Sequence, residues 1–168
     1  INGVSKSYAM TGWRIGYTAG PIEVIRAMSS LQSQVASGSN SIAQYAAEEA
    51  LRSPKGAAEI ERMRKAYDER RQHIVARLNA IDGLKCVMPK GAFYVMVDMS
   101  ALIGKHLGDC EITGSMDFAS MLLENADVAL TPGSAFCAEG FCRISYATSM
   151  ENIDKGVDRI ERFVKNLV

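Results

Sequence analysis

The feature that most constrains the fold is a change of hydrophobic period at Asp82-Gly83. Before it, Ile60, Met63, Tyr67, Ile74, Leu78 and Ile81 mark the stripe of a long amphipathic helix starting at Gly56, and Glu59, Glu61, Arg62, Arg64, Lys65 and Asp68 mark its solvated faces. After it, Leu84 to Val87 and Ala92 to Met99 have strand character, joined by Met88-Pro89-Lys90-Gly91. A helix is predicted near Ser115 to Asn125, a short strand at Val128 to Leu130, a turn at Thr131 to Ser134 and a strand at Phe141 to Ala147. A capping box of Thr148 and Glu151 opens the last helix, whose stripe is Ile153, Val157, Ile160 and Val164. A long helix followed by a small sheet with two covering helices fits two partial layers better than one wound sheet.

Upstream, residues 13–19 alternate and predict a strand, with Trp13, Ile15 and Tyr17 on one face and Arg14, Gly16 and Thr18 on the other. Gly20-Pro21 ends it. Ile22, Ile25, Met28, Leu31 and Val35 then recur at helical spacing, and an alanine-rich, closely packed helix is predicted from Ala43 to Leu51. Ser53-Pro54-Lys55-Gly56 is the natural boundary, dividing residues 1–55 from 56–168. Because Ile1 lies inside what reads as the end of a strand, the chain reads as a C-terminal piece of a longer protein.

Nineteen basic and nineteen acidic side chains cancel, so no nucleic-acid or anionic-membrane partner is expected. Four cysteines (Cys86, Cys110, Cys137, Cys142) have neither ligand spacing nor a disulfide-framework density. They predict free thiols in the cytoplasm and no metal site. No apolar run approaches the ~20 residues that span a bilayer. His73 and His106 lack a paired ligand or a cysteine or serine partner, and receive no role.

The chemistry concentrates in Gly3-Val4-Ser5-Lys6 and Gly12-Trp13-Arg14-Ile15-Gly16. A lysine amine is a covalent nucleophile when its proton can be removed. An arginine next to a glycine lets an anion approach the backbone. Ser5 adds a hydroxyl, so a cofactor with an aldehyde and a phosphate would use all three. Arg143, in Phe141-Cys142-Arg143-Ile144-Ser145-Tyr146, is too polar for its strand without an anion. The anion is either the carboxylate of a structural salt bridge or that of a substrate held by two hydrogen bonds.

Together these residues resemble the pyridoxal-phosphate attachment signature of the class I and II aminotransferases. The similarity continues through Pro89-Lys90-Gly91-Ala92-Phe93-Tyr94, Thr131-Pro132-Gly133-Ser134-Ala135-Phe136 and Arg143-Ile144-Ser145-Tyr146-Ala147, which look like the C-terminal part of aspartate aminotransferase-type enzymes. The resemblance implies an α/β fold of that type: residues 1–55 as the end of the large cofactor domain, and 56–168 as an α+β small domain with a bridging helix. It implies pyridoxal 5'-phosphate as cofactor, a catalytic Schiff base on Lys6, phosphate binding by Ser5 and Arg14, and substrate carboxylate binding by Arg143. It also implies a homodimer acting on an L-amino acid and a 2-oxo acid, aspartate and 2-oxoglutarate first. Gln34-Val35-Ala36 offers no arginine for a second carboxylate, so aromatic amino acids, alanine and prephenate stay open as substrates. Since the residue that pairs with the pyridine nitrogen is upstream in the family, this chain alone is expected to be inactive. A carbon–sulfur lyase on the same scaffold, or an aminotransferase-like domain of a transcription regulator, would use the same residues.

Overall fold

The computed structural model describes residues 1–168, which divide into two compact units, Ile1–Arg64 and Lys65–Val168. In the first unit, β1 (Asn2–Gly3) pairs antiparallel with β2 (Gly16–Tyr17), and α1 (Ile22–Ala36) and α2 (Ser41–Arg52) follow. The Asn40 side chain caps α2 by accepting from the Ala43 amide at 3.1 Å. Ala43 and Ala47 are its buried residues, as expected of an alanine-rich packed face, whereas no residue of α1 is buried. The long helix α3 runs from Pro54 to Asn79.

The second unit holds a four-stranded antiparallel sheet of order β3 (Lys85–Cys86), β4 (Tyr94–Asp98), β8 (Phe141–Ser145), β7 (Thr131–Pro132). A small hairpin of β5 (His106–Leu107) and β6 (Cys110–Glu111) stands apart. The helices α4 (Ser115–Ala126) and α5 (Met150–Lys165) complete the unit. Alternation decides the faces of the sheet. Val95, Val97 and Cys142 enter the core, where they join Ile74 and Leu78 of α3, Phe118 and Leu122 of α4, and Ile153, Val157 and Ile160 of α5. The opposite face carries Tyr94, Met96, Phe141 and Arg143. The edge at β3 is closed by Asn79, whose amide donates to the Cys86 carbonyl at 3.0 Å and accepts the Cys86 amide at 2.7 Å, standing in for a neighbouring strand.

Three local expectations are corrected. The cap of α5 is Ser149, accepting from the Asn152 amide at 3.2 Å, and Thr148 instead accepts from the Asn152 side chain. Val128–Leu130 makes no strand, because Asp127 sits in the left-handed region at φ 50° and delays re-entry into the sheet. The pairing residues are Thr131 and Pro132, expected as a turn. They face Arg143 and Cys142 from the sheet edge, where a proline costs no ladder hydrogen bond.

His73, given no role from the sequence, ties α3 to α5. Its Nε2–H donates to Asp154 at 2.6 Å, since an ionised carboxylate only accepts, and Arg77 donates to Asp154 at 2.7 Å and to Asp158 at 2.5 Å. The His73 hydrogen bond, and after it the charges of His73 and Arg77, hold the Asp154 carboxyl below the ordinary aspartate range. Asp117 and Glu139 are lowered by hydrogen bonds from Thr113 and Ser115 respectively. A depressed carboxyl contributes stability above its unfolded pKa and loses it as pH falls through the folded one. Asp154→Asn is therefore expected to lower the melting temperature at neutral pH, and the gap to the parent should close below about pH 4. Thermal melts of both proteins across pH check this, and a constant gap would contradict it.

Gly156 lies mid-helix in α5, with no atom within 4 Å of where a Cβ would stand. Gly156→Ala is expected to stabilise the chain by about 0.5–1 kcal/mol, read from urea denaturation, because alanine restricts the unfolded chain and favours helix.

Candidate functional site

In the first unit the hairpin is built around its glycines. Gly3 pairs with Gly16, and a Cβ on Gly16 would lie 3.0 Å from the Asn2 carbonyl oxygen, so the strands approach without side chains between them. The chain then turns through Val4 to Ala9, with the Tyr8 amide donating to the Val4 carbonyl and the Ala9 amide to the Lys6 carbonyl, both at 3.2 Å. Val4 is 1% exposed and roots this turn, which carries half-buried Ser5 and exposed Lys6.

The return path differs from expectation. Thr11–Trp13 forms a 3₁₀ turn, and Arg14 follows in the left-handed region at φ 52°. The strand predicted from residue 13 begins only at Gly16, because a positive φ cannot continue an extended run. Arg14 consequently does not project from a strand face. Its Nη1 donates to the Thr11 carbonyl at 3.0 Å, using one of five N–H donors. Left-handed backbone costs a residue with a Cβ about 1–2 kcal/mol, and such strain gathers at functional positions.

The strand pairing brings the Val4–Lys6 segment and the Arg14–Ile15 segment to one end of the ribbon. Residues 1–20 contain no aspartate or glutamate, so the hairpin presents an amine, a guanidinium and a hydroxyl with no acid of its own. That donor set suits an anion.

Arg143 belongs to the second unit. In β8 it pairs with Met96 on one side and Thr131 on the other, on the sheet face away from the core. Tyr94, two residues from Met96, is its diagonal neighbour on that face. The guanidinium carbon lies 4.4 Å from the Tyr94 ring centroid and 4.4 Å from that of Phe136, in the 3₁₀ turn after β7. No carboxylate pairs with Arg143; the ion pairs of the second unit involve other residues. The structural salt bridge, one of the two readings of this arginine, is absent. A shallow cavity of about 240 Å³ opens here, lined by Tyr94, Ala129, Leu130, Thr131, Arg143 and Ser145.

The stacking rings escaped the sequence reading. Strand alternation at Tyr94-Val95-Met96 could have put Tyr94 on the Arg143 face, but Phe136 reaches it only through the folded turn. All four thiols are free. Burial pushes the Cys86 thiol up to about 11 and the Cys142 thiol up to about 12, which makes both poor nucleophiles. No three His, Cys, Asp or Glu residues gather as a metal site, and no helix is long and apolar enough to cross a membrane.

The family described as aminotransferase class I and II matches residues 1–160. The aspartate aminotransferase of Bacillus sp. (strain YM-2) is 48% identical over 165 residues, covering 98% of this chain and 41% of that protein. The aspartate/prephenate aminotransferase of Nitrosomonas europaea is 47% identical, covering 95% and 40% respectively. Among solved structures, the aspartate aminotransferase of Rhizobium meliloti superposes with a TM-score of 0.94 at 44% identity, covering 99% of this chain and 41% of that one. The chain thus spans about two fifths of the length of the relatives it matches.

Proposed function

The chain belongs to the aminotransferase class I and II family, and on that premise we propose that it is the C-terminal part of a pyridoxal-phosphate-dependent aminotransferase, with residues 1–55 ending the cofactor domain and 56–168 forming the small domain. The observation that carries the cofactor assignment is the acid-free hairpin, where Ser5, Lys6 and Arg14 share one end of a glycine-paired ribbon. This donor set fits a group with one aldehyde and one phosphate: the amine would condense with the aldehyde with loss of water, and the hydroxyl and guanidinium would hold the phosphate.

When bound, pyridoxal phosphate supplies an electron sink that makes the substrate α-carbon acidic. The protein supplies binding, orientation and proton transfer. Lys6 would hold the cofactor covalently, and its amine would carry the proton to and from the substrate α-carbon. Arg14 would neutralise the phosphate: its guanidinium is exposed, and only one of its N–H donors is engaged, by the Thr11 carbonyl. Arg143 would hold the substrate α-carboxylate through its planar set of N–H donors, none of which is committed to an acid of the second unit.

The reaction transfers an amino group from an L-amino acid to a 2-oxo acid. Aspartate and 2-oxoglutarate are the proposed pair, with prephenate as a further acceptor. The support is that relatives at 47–49% identity are named aspartate or aspartate/prephenate aminotransferases. The working form is proposed to be a homodimer. Borohydride reduction of the cofactor-loaded longer protein, followed by peptide mapping, is expected to leave a pyridoxyl group on Lys6. A label on any other residue would overturn the assignment.

A further inference from the structure

Resting on the reading of Arg143 as the holder of a carboxylate, we infer that Tyr94 and Phe136 are positioning residues that prepare its guanidinium for the substrate. An arginine held by a carboxylate has its N–H edge used and its charge neutralised. One held by aromatic rings keeps its charge and has no N–H donor committed to an acid, so both stay available to an anionic ligand. The Arg143 guanidinium lies 4.4 Å from each ring centroid, with no acid paired to it.

The rings are themselves fixed. The Tyr94 ring lies 4.5 Å from Phe93 at a 40° tilt, Phe93 lies 6.2 Å from Tyr67, and Tyr67 lies 6.3 Å from Tyr146. The Tyr146 hydroxyl closes this row by donating to the Ala92 carbonyl at 2.8 Å. On the other side, the turn bearing Phe136 is fastened to α4: the Ser134 amide donates to the hydroxyl of fully buried Ser115 at 3.1 Å, and the Ser115 amide donates to Glu139 at 2.5 Å. Both rings are thus set by contacts within the second unit other than those to Arg143 itself. A guanidinium held this way has already lost its rotamer freedom before the ligand binds, so binding does not carry that cost.

The test uses the 168-residue chain labelled with ¹⁵N-arginine and titrated with succinate, with Arg143→Gln identifying the Arg143 Nε–H signal. In the parent chain that signal is expected upfield of the other arginines, shifted by two rings, and to move saturably with succinate. Phe136→Leu and Tyr94→Leu should each lose part of the upfield shift and weaken succinate about fivefold to tenfold, while Phe136→Tyr restores both. In the longer aminotransferase, Phe136→Leu should raise KM for the amino acid by a similar factor and leave kcat within about twofold. An unshifted parent signal, or leucine variants that bind succinate as the parent does, would overturn the positioning role. If Arg143→Gln leaves every succinate response unchanged, the carboxylate reading falls, and the positioning role with it.

Discussion

Lys6→Ala is expected to lower amino transfer by the longer protein at least about a thousandfold, since general acid–base help alone is commonly 10²–10⁴ and the covalent anchor goes with it. Lys6→Arg should be nearly as inactive. A guanidinium keeps the positive charge but cannot give up its proton near neutral pH. Both variants should fold normally, because Lys6 is exposed in a turn held by the Tyr8–Val4 and Ala9–Lys6 backbone hydrogen bonds. The check is a coupled assay of oxo-acid formation beside a melting curve. Activity within tenfold of the parent for Lys6→Ala would remove the amine from the mechanism. A collapsed melting curve would instead make Lys6 a structural residue of the hairpin.

Gly133→Ala is expected to be the most destabilising single-methyl change in the second unit, at about 3 kcal/mol, the upper end for overpacked sites. Gly133 is buried at the corner between β7 and the 3₁₀ turn, and a Cβ there would overlap the carbonyl oxygens of Ala138 and Phe141. Both are backbone atoms, so no side chain can swing away, and the corner itself must open. The same turn carries Phe136, and the displacement should reach the guanidinium it stacks on. Urea denaturation of the variant beside Gly156→Ala separates this account from a general intolerance of substituted glycines. The two are expected to shift the midpoint in opposite directions. Equal shifts of one sign would show that the space around each glycine does not decide its cost.

The secondary structure was legible wherever a period was sustained. The stripe Ile74, Leu78, Ile81 and the stripe Ile153, Val157, Ile160 both became core, because burial against a sheet selects the 3.6-residue face that the sequence already marks. Legibility failed where one backbone angle outweighed the side-chain pattern. Residues 13–19 alternate like a strand, yet Arg14 at φ 52° turns the chain before β2 begins at Gly16. Thr148 and Ser149 both have side chains suited to a cap, and in the folded chain the second one takes the position.

The chemistry divides in the same way. Residue identity alone singled out Ser5, Lys6, Arg14 and Arg143, because a lysine after a serine in a small-residue turn and an arginine in an apolar strand are chemically conspicuous without coordinates. The family was legible for the same reason, since its motifs are short runs of covalent neighbours. What surrounds Arg143 was settled only by tertiary structure. Met96, Thr131 and Tyr94 reach it through strand register, and Phe136 reaches it through a turn pinned by buried Ser115. Register and pinning are relations between residues far apart in the chain, set by which faces pack into the core. A local pattern carries the period of a strand but not the identity of its neighbour.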